Sequence, residues 1–409
     1  MNKYYLRFSL LILVALVASS VNAQEVEDTI KIKTRVVFLD ALVKDKKTNL
    51  PISNLTPENF QVLDDGKPRE IAYFTREGQA RKPLALILIL DLREDGAGRF
   101  LKRAEILKAM EDELAKLPPG DEVAIMATNI GEDEGRTWLT EFTNERTKIA
   151  AALARVPAMC ASSDAPPPEG ISSQNNAGTD GVKTDEIIVK VETNKGRNGS
   201  IVTRKTRRDG RVEVTRVSKD GKMTIELGEV YDMVAAVQDA TQKALELRPN
   251  SQMSLVWVSD GIAPIFFEDR DATEQVLIRE NVIFNSLTVE LRTLFKFLLP
   301  VGKPIAGWLG MSLYGSAKHL AQRSGGEAVK VGRVKDYGSG LARIIGNLTA
   351  RYSLGFALAE SEVDDGRMHT LEVRVNAKDE KGKNRKLQVS SRQGYYMSTT
   401  ASKEALRTQ

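Results

Sequence analysis

Two runs of the chain, LALILILD at residues 84–91 and SLVWVSD at residues 254–260, constrain the fold most, because each is an unbroken apolar strand that ends in an aspartate. Strands that are apolar at every position, and not only at alternate ones, are buried on both faces and sit inside a parallel sheet covered by helices. Their aspartates, Asp91 and Asp260, then fall at carboxyl ends of strands, where open α/β sheets form their binding crevices.

The surrounding pattern is that of a doubly wound fold. After the first run comes a helix stripe, FLKRAEILKAMEDELAKL, stopped by Pro118-Pro119-Gly120, then a strand DEVAIMATN, a short strand around Thr137-Trp138-Leu139 and a helix NERTKIAAALARV. The alternation resumes with the helix VYDMVAAVQDATQKALEL, the second run, a helix from about Asp271 to Arg279, and the segments NVIFNSLTV, GSAKHLAQRSGG, EAVKV and YGSGLARIIGNLTARY. Both ends of the chain carry β signals instead: a hairpin over Asp65-Gly66 near the start, and strands YSLGF, HTLEVRV and RKLQVSS near the end. The predicted class is α/β, a doubly wound mostly parallel sheet inserted between N- and C-terminal β segments that form one small β domain or sandwich. Boundaries follow as an N-terminal β segment at 24–82, the α/β domain at 83–158 and 228–350, a C-terminal β segment at 351–398 and a tail at 399–409. Two interruptions separate the halves of the α/β domain. Residues 159–185, rich in Ser, Pro, Gly, Asp and Asn, read as a flexible linker, and residues 186–227 as a basic β-meander with turns at NKGRNG, RRDG and SKDG.

Composition narrows the functional classes. An apolar share of 42% with 28% charged residues excludes a wholly disordered or membrane-embedded chain. Residues 1–23 have the basic start, apolar core and small-residue exit of a secretory signal peptide, so the expected destination is export, to the periplasm, the cell surface or the medium. The greasy stretch at 293–311 is broken by Lys296, Pro300, Lys303 and Pro304 and reads as a buried or partner-covered loop. Cys160 is the single cysteine, so no internal disulfide forms, and only His319 and His369 are available as imidazole bases. No nucleophile, base and orienting group assemble from these residues, and an enzyme is not expected. Gly325-Gly326 reads as a helix stop, His319 as a structural histidine, and Tyr395-Tyr396 as packing on the small β domain.

The ordered series LTPENFQVLDDGKPREIAYF, LILILD, EFTNER, VYDMVAAV, VWVSDG, LAQRSGGEAVKV, ARYSLGF and VSSRQGYY resembles the von Willebrand factor A-related proteins abundant in Acidobacteria. The resemblance covers nearly all of the chain after the signal segment except residues 162–227, and implies an exported α/β domain with flanking β structure. It also implies a metal-ion-dependent adhesion site opening with Asp-x-Ser-x-Ser. Asp91 matches the first position of that site and Asp260 the last, but Arg93 and Asp95 stand where the serines belong, and Leu227-Gly228-Glu229 where its threonine belongs.

Two readings of this degenerate site stay open. In one, Arg93 lies over Asp91 and Asp260 and takes the electrostatic place of the ion, leaving a metal-independent scaffold with no cofactor. In the other, Asp91, Glu94, Asp95 and Asp260 form an acidic cup for Ca²⁺ or Mg²⁺, with Asp91, Asp95 and Asp260 as the candidate metal ligands. Ser259 and Gly261 supply the turn after the second strand, and Arg93, Glu94, Ser259 and Gly261 are the candidate binding residues. A second surface is the meander, where Arg204, Lys205, Arg207, Arg208 and Arg211 suit a polyanionic polysaccharide or lipid surface, or merely keep an edge from aggregating. Base-stacking aromatics are missing there, so nucleic acid is not an expected partner. The expected function is non-enzymatic binding of a protein or cell-envelope partner, with divalent-cation-dependent adhesion as the alternative; oligomeric state is not readable.

Overall fold

The computed structural model describes residues 35–76, 81–93, 98–130, 135–159, 188–195, 199–207, 212–221, 224–227, 232–289, 311–378 and 382–397. The signal segment, most of the linker with Cys160, the greasy stretch at 293–310 and the tail therefore lie outside the described residues, as do Glu94, Asp95, Arg208 and Arg211.

In chain order, four strands come first: β1 (Arg35–Asp45), β2 (Phe60–Asp64), β3 (Lys67–Arg69) and β4 (Tyr73–Thr75). The α/β part opens with β5 (Leu84–Asp91), β6 (Glu122–Ile130) and β7 (Gly135–Thr143). The insertion holds β8 (Ile188–Lys195), β9 (Ile201–Arg207), β10 (Val212–Val217) and β11 (Thr224–Leu227). Then follow β12 (Gln252–Ser259), β13 (Ile262–Phe266), β14 (Ile283–Val289), β15 (Met311–Tyr314) and β16 (Ala328–Val331), and last β17 (Tyr352–Leu358), β18 (Met368–Val375), β19 (Leu387–Ser390) and β20 (Gly394–Tyr396).

The central sheet has the order β16-β14-β12-β5-β6-β7. All its neighbours pair in parallel except β6 with β7, which is antiparallel. Alternate residues of β5 enter different cores: Leu84, Leu86, Leu88 and Leu90 pack under the helices Ala104–Ala115, Arg146–Met159 and Tyr337–Thr349. Ala85, Ile87 and Ile89 pack under Asp232–Leu247, Phe267–Arg279 and Ser316–Ser324. Burial on both sides is why the strand is apolar throughout, each large side chain contributing about 1.5–3 kcal/mol. The short strand expected around Trp138 is longer, Gly135–Thr143, because its pairing with β6 is bulged and absorbs extra residues. A further pair, β13 with β15, was not legible in the sequence: β15 begins at Met311, inside the stretch that reads as loop.

Strands from the two chain ends interleave in two four-stranded sheets, β19-β1-β17-β4 and β20-β18-β2-β3, around one core that includes Leu39, Val43, Phe60, Tyr352, Phe356 and Tyr395. The β2–β3 hairpin turns on Asp65 and Gly66, both left-handed at φ 47° and 78°. Asp65 then accepts from the backbone N–H of Thr370 at 2.8 Å. Burial opposes its charge, but that N–H, Arg367, the Thr370 hydroxyl and His369 together outweigh it and hold the carboxyl at about 2.

The sandwich joins the α/β part through buried ionic contacts that no sequence pattern announces. Lys44 of β1 is fully enclosed against Glu327, which also accepts from Asn347. Arg392 donates to the carbonyls of Phe38 and Ile278, and Arg351 to that of Gly325 at 2.7 Å. Gly325 is the left-handed cap of the helix before β16, as the helix-stop reading expects, and a Cβ there would sit 2.5 Å from the Arg392 nitrogen. Its glycine thus serves both the cap and the close approach of the last strand segment.

Lys44→Met alone is expected to cost about 3–5 kcal/mol by removing the buried positive charge from Glu327, and Lys44→Met with Glu327→Leu to recover most of it, read by urea unfolding. Asp65 supplies a pH test. A carboxyl lowered from 3.8 to about 2 contributes stability that is present above 3.8 and lost as pH falls through about 2. Asp65→Asn is therefore expected to cost about 1 kcal/mol at neutral pH, allowing for the exposure of the group, with the deficit closing between pH 3.8 and 2.

Candidate functional site

From β5 the chain moves outward through β6 to β7, then returns to the other side of β5 at β12 and proceeds to β14 and β16. The direction of winding reverses between β5 and β12, so their carboxyl ends flank the crevice that this class of sheet uses for ligands. Leu90 pairs with Val258, and the next residues, Asp91 and Ser259, bring Asp260 to the same crevice.

The carboxylates of Asp91 and Asp260 are nearly fully buried, at 1% and 2% exposure. Each would cost several kcal/mol there without compensation. Leu92 still bonds the carbonyl of Thr128 at 3.0 Å, and the chain then releases Arg93 to turn back over the strand end. Arg93 donates from Nε to both oxygens of Asp91, at 3.1 and 3.2 Å, and from Nη2 to Asp91 Oδ2 at 2.8 Å and Asp260 Oδ1 at 3.1 Å. Its planar fork suits this bridging, which a lysine ammonium would not reproduce. Ser259 donates its hydroxyl to Asp91 Oδ2 at 2.7 Å and accepts the Gly261 N–H at 3.3 Å. Gly261 has φ 86°, a turn that calls for glycine.

Beneath the crevice, Tyr337 donates its hydroxyl to the carbonyl of Ser259 at 3.2 Å. Burial, and then the charges of Asp260 and Asp91, push its pKa well above the ordinary tyrosine value, so it remains a donor. Tyr337 is a site residue that sequence reading misses: it lies at the start of a distant helix and no motif surrounds it.

A Mg²⁺ site of the kind the family resemblance implies needs carboxylate and hydroxyl oxygens turned toward an ion. The described residues do not fit one. A single guanidinium nitrogen reaches both carboxylates, the Ser259 hydroxyl spends its proton on Asp91, and a cation in that place would meet like charge. Thr140 and Thr143 lie on the edge strand β7.

The structure thus gathers Asp91, Arg93, Asp260, Ser259 and Gly261 at one point, while Glu94 and Asp95 lie outside the described residues. Of the basic meander residues, Arg204 forms an ion pair with Asp269 at 15% exposure. Arg216 is buried over the ring of Phe266, 4.2 Å from its centroid. These two arginines hold the insertion to the segment that continues from Asp260, so they are not part of an open basic face. Lys205 lies 3.9 Å from Glu213, and only the backbone of Arg207 is described. His319 bonds Glu274 at 2.6 Å beside Arg323, and Tyr395 is buried with its hydroxyl 3.1 Å from Asp64. Two groupings among the described residues have metal-ligand composition, Asp64 with Asp65 and His369, and Asp271 with Glu274 and His319. Arginines already neutralise their carboxylates: Arg69 and Arg367 in the first, Arg270 and Arg323 in the second.

No family model matches this sequence, and no curated protein matches it. Among solved structures the chain is similar to the SpRpn10 VWA domain, at 12% identity over 63% of this chain and 93% of that one, with a TM-score of 0.29. It is similar to the human COPII-coat protein Sec24c at 9% identity, over 83% of this chain and 49% of that one, with a TM-score of 0.36. A third likeness is to the pilus adhesin SpaC from Lactobacillus rhamnosus GG, at 7% identity over 83% and 46%, with a TM-score of 0.34. The chain spans about half the length of the latter two. The architecture described above rests on strand order and pairing, not on these likenesses.

Arg93→Ala is expected to destabilise the fold by about 3–5 kcal/mol by removing the guanidinium from two buried carboxylates, and Arg93→Lys by less, in denaturant unfolding at neutral pH.

Proposed function

We propose that this chain is an exported, von Willebrand factor A-related interaction module that binds a protein or cell-envelope partner at the carboxyl edge of its central sheet, without a metal ion and without enzymatic activity. The observation that carries this reading is the bridge from Arg93 to both Asp91 and Asp260 at the switch point. In the adhesion site that the resemblance implies, a divalent cation presents positive charge at this position to a partner's carboxylate. Here a tethered guanidinium, 18% exposed, takes the ion's place between the two carboxylates and offsets one of their two charges. The winding order supports the same placement, since ligands of doubly wound sheets bind outside the strand ends where the order reverses. The insertion, held against the segment after Asp260 by Arg204 and Arg216, forms a second part of the surface available to a partner.

Calorimetric titration of the chelator-treated chain with Ca²⁺, Mg²⁺ and Mn²⁺ tests the reading, together with retention of envelope components in chelator and in divalent cation. Silent titrations and equal retention are expected. A saturable isotherm lost in Asp91→Ala/Asp260→Ala would replace this reading with cation-dependent adhesion through a remodelled acidic cup. Undiminished retention by that folded double variant would move the binding surface to the insertion.

A further inference from the structure

The sheet of the insertion is bounded among the described residues by an edge strand whose charges do not guard it against every pairing. In the order β11-β10-β9-β8, strand β8 has a hydrogen-bonded neighbour on one side only among the described residues. It is eight residues long, IVKVETNK, with no proline. Ile188 and Val191 on it are 46% and 57% exposed. From Lys190 to Lys195 its register with β9 runs without interruption, the one irregularity lying between Ile188 and Lys190. A long, regular edge with exposed β-branched residues is a template for another strand.

Natural edges are commonly guarded by a lysine, which repels the same lysine of an approaching copy. Lys190 cannot act in this way in one particular register. When two β8 strands meet antiparallel about a two-fold axis through Val191, Lys190 of each copy stands opposite Glu192 of the other, and Val191 meets Val191. The sequence Lys190-Val191-Glu192 is thus its own charge complement, and the axis makes both favourable pairs at once. Both side chains are accessible, at 63% and 42% exposure, and they pair with each other within the strand at 2.8 Å. An exposed pair of that kind holds its partners weakly, so exchanging them across an interface costs little.

We propose that two copies of this chain join edge to edge through β8, with the two-fold axis at Val191, into one antiparallel sheet that runs across both insertions. The dimer would place two switch-point crevices in one assembly, so that a repetitive envelope surface is held at two points and with the avidity that follows.

Sedimentation velocity of the full chain, purified as the cell processes it, tests the register. The wild type is expected to be dimeric. Lys190→Glu sets carboxylate against carboxylate at both cross-axis pairs, and Glu192→Lys sets ammonium against ammonium, so each variant alone is expected to raise the dissociation constant at least tenfold. An equimolar mixture of the two restores opposite charges at every position and is expected to dimerise like the wild type. Circular dichroism and melting temperature confirm that each variant is folded. A wild type that stays monomeric at its highest soluble concentration overturns the proposal. Single variants that remain as dimeric as the wild type, or folded variants whose mixture stays monomeric, overturn it equally.

Discussion

Two carboxylates buried side by side at the ends of adjacent strands are the constraint on which the centre of this molecule is organised. Burying Asp91 and Asp260 there is costly unless positive charge and hydrogen-bond donors converge on them. Arg93 supplies the charge from two residues beyond β5, and Ser259 supplies a donor from the residue beside Asp91. Tyr337 holds the backbone of Ser259 from below, and Gly261 permits the turn that leads away into β13. Each of these features is local, yet together they define the crevice: a guanidinium bridging two carboxylates at its floor, bordered by a segment on which the insertion leans.

The same economy governs the joint between the α/β part and the sandwich. Lys44 pairs with Glu327 across this joint, and Arg392 and Arg351 reach backbone carbonyls there, while Nε and Nη1 of Arg351 and Nε of Arg392 are buried without a hydrogen bond. Buried ionic groups of this kind add little net stability over well-packed apolar ones, but breaking one partner is costly. Gly325 links this joint to the helix beneath it, because the left-handed cap and the approach of Arg392 require the same absent side chain.

Much of the architecture is legible in the chain itself because burial leaves a periodic trace. Strands β5 and β12 carry unbroken apolar runs, at 84–90 and 255–258, since both faces are covered, and the stripes of the helices at 104–115 and 232–247 follow their packing on opposite faces of the sheet. Asp65-Gly66 and Gly325 are legible for another reason, since their left-handed backbone narrows the choice of residue. The extent of β7 and the pairing of β13 with β15 are not, because bulged and short pairs leave no regular period. In the basic meander, local charge misleads. Arg204 and Arg216 look like members of an open cationic ribbon, but alternation along a strand turns them inward, to Asp269 and Phe266.

By itself the sequence determined the class of fold, the interruption of the α/β part by a β insertion, and the two aspartates at the carboxyl edge, because hydrophobic periodicity and turn chemistry are properties of neighbouring residues. It left two arrangements of Arg93 open. Only the tertiary structure decided that its guanidinium spans Asp91 and Asp260, residues 169 apart from one another in numbering and adjacent only because the sheet reverses its winding between β5 and β12. Tyr337, Lys44 and Glu327 likewise acquire their roles from partners far away in the chain. A pairing of that kind depends on which buried charges meet, and no local pattern records it.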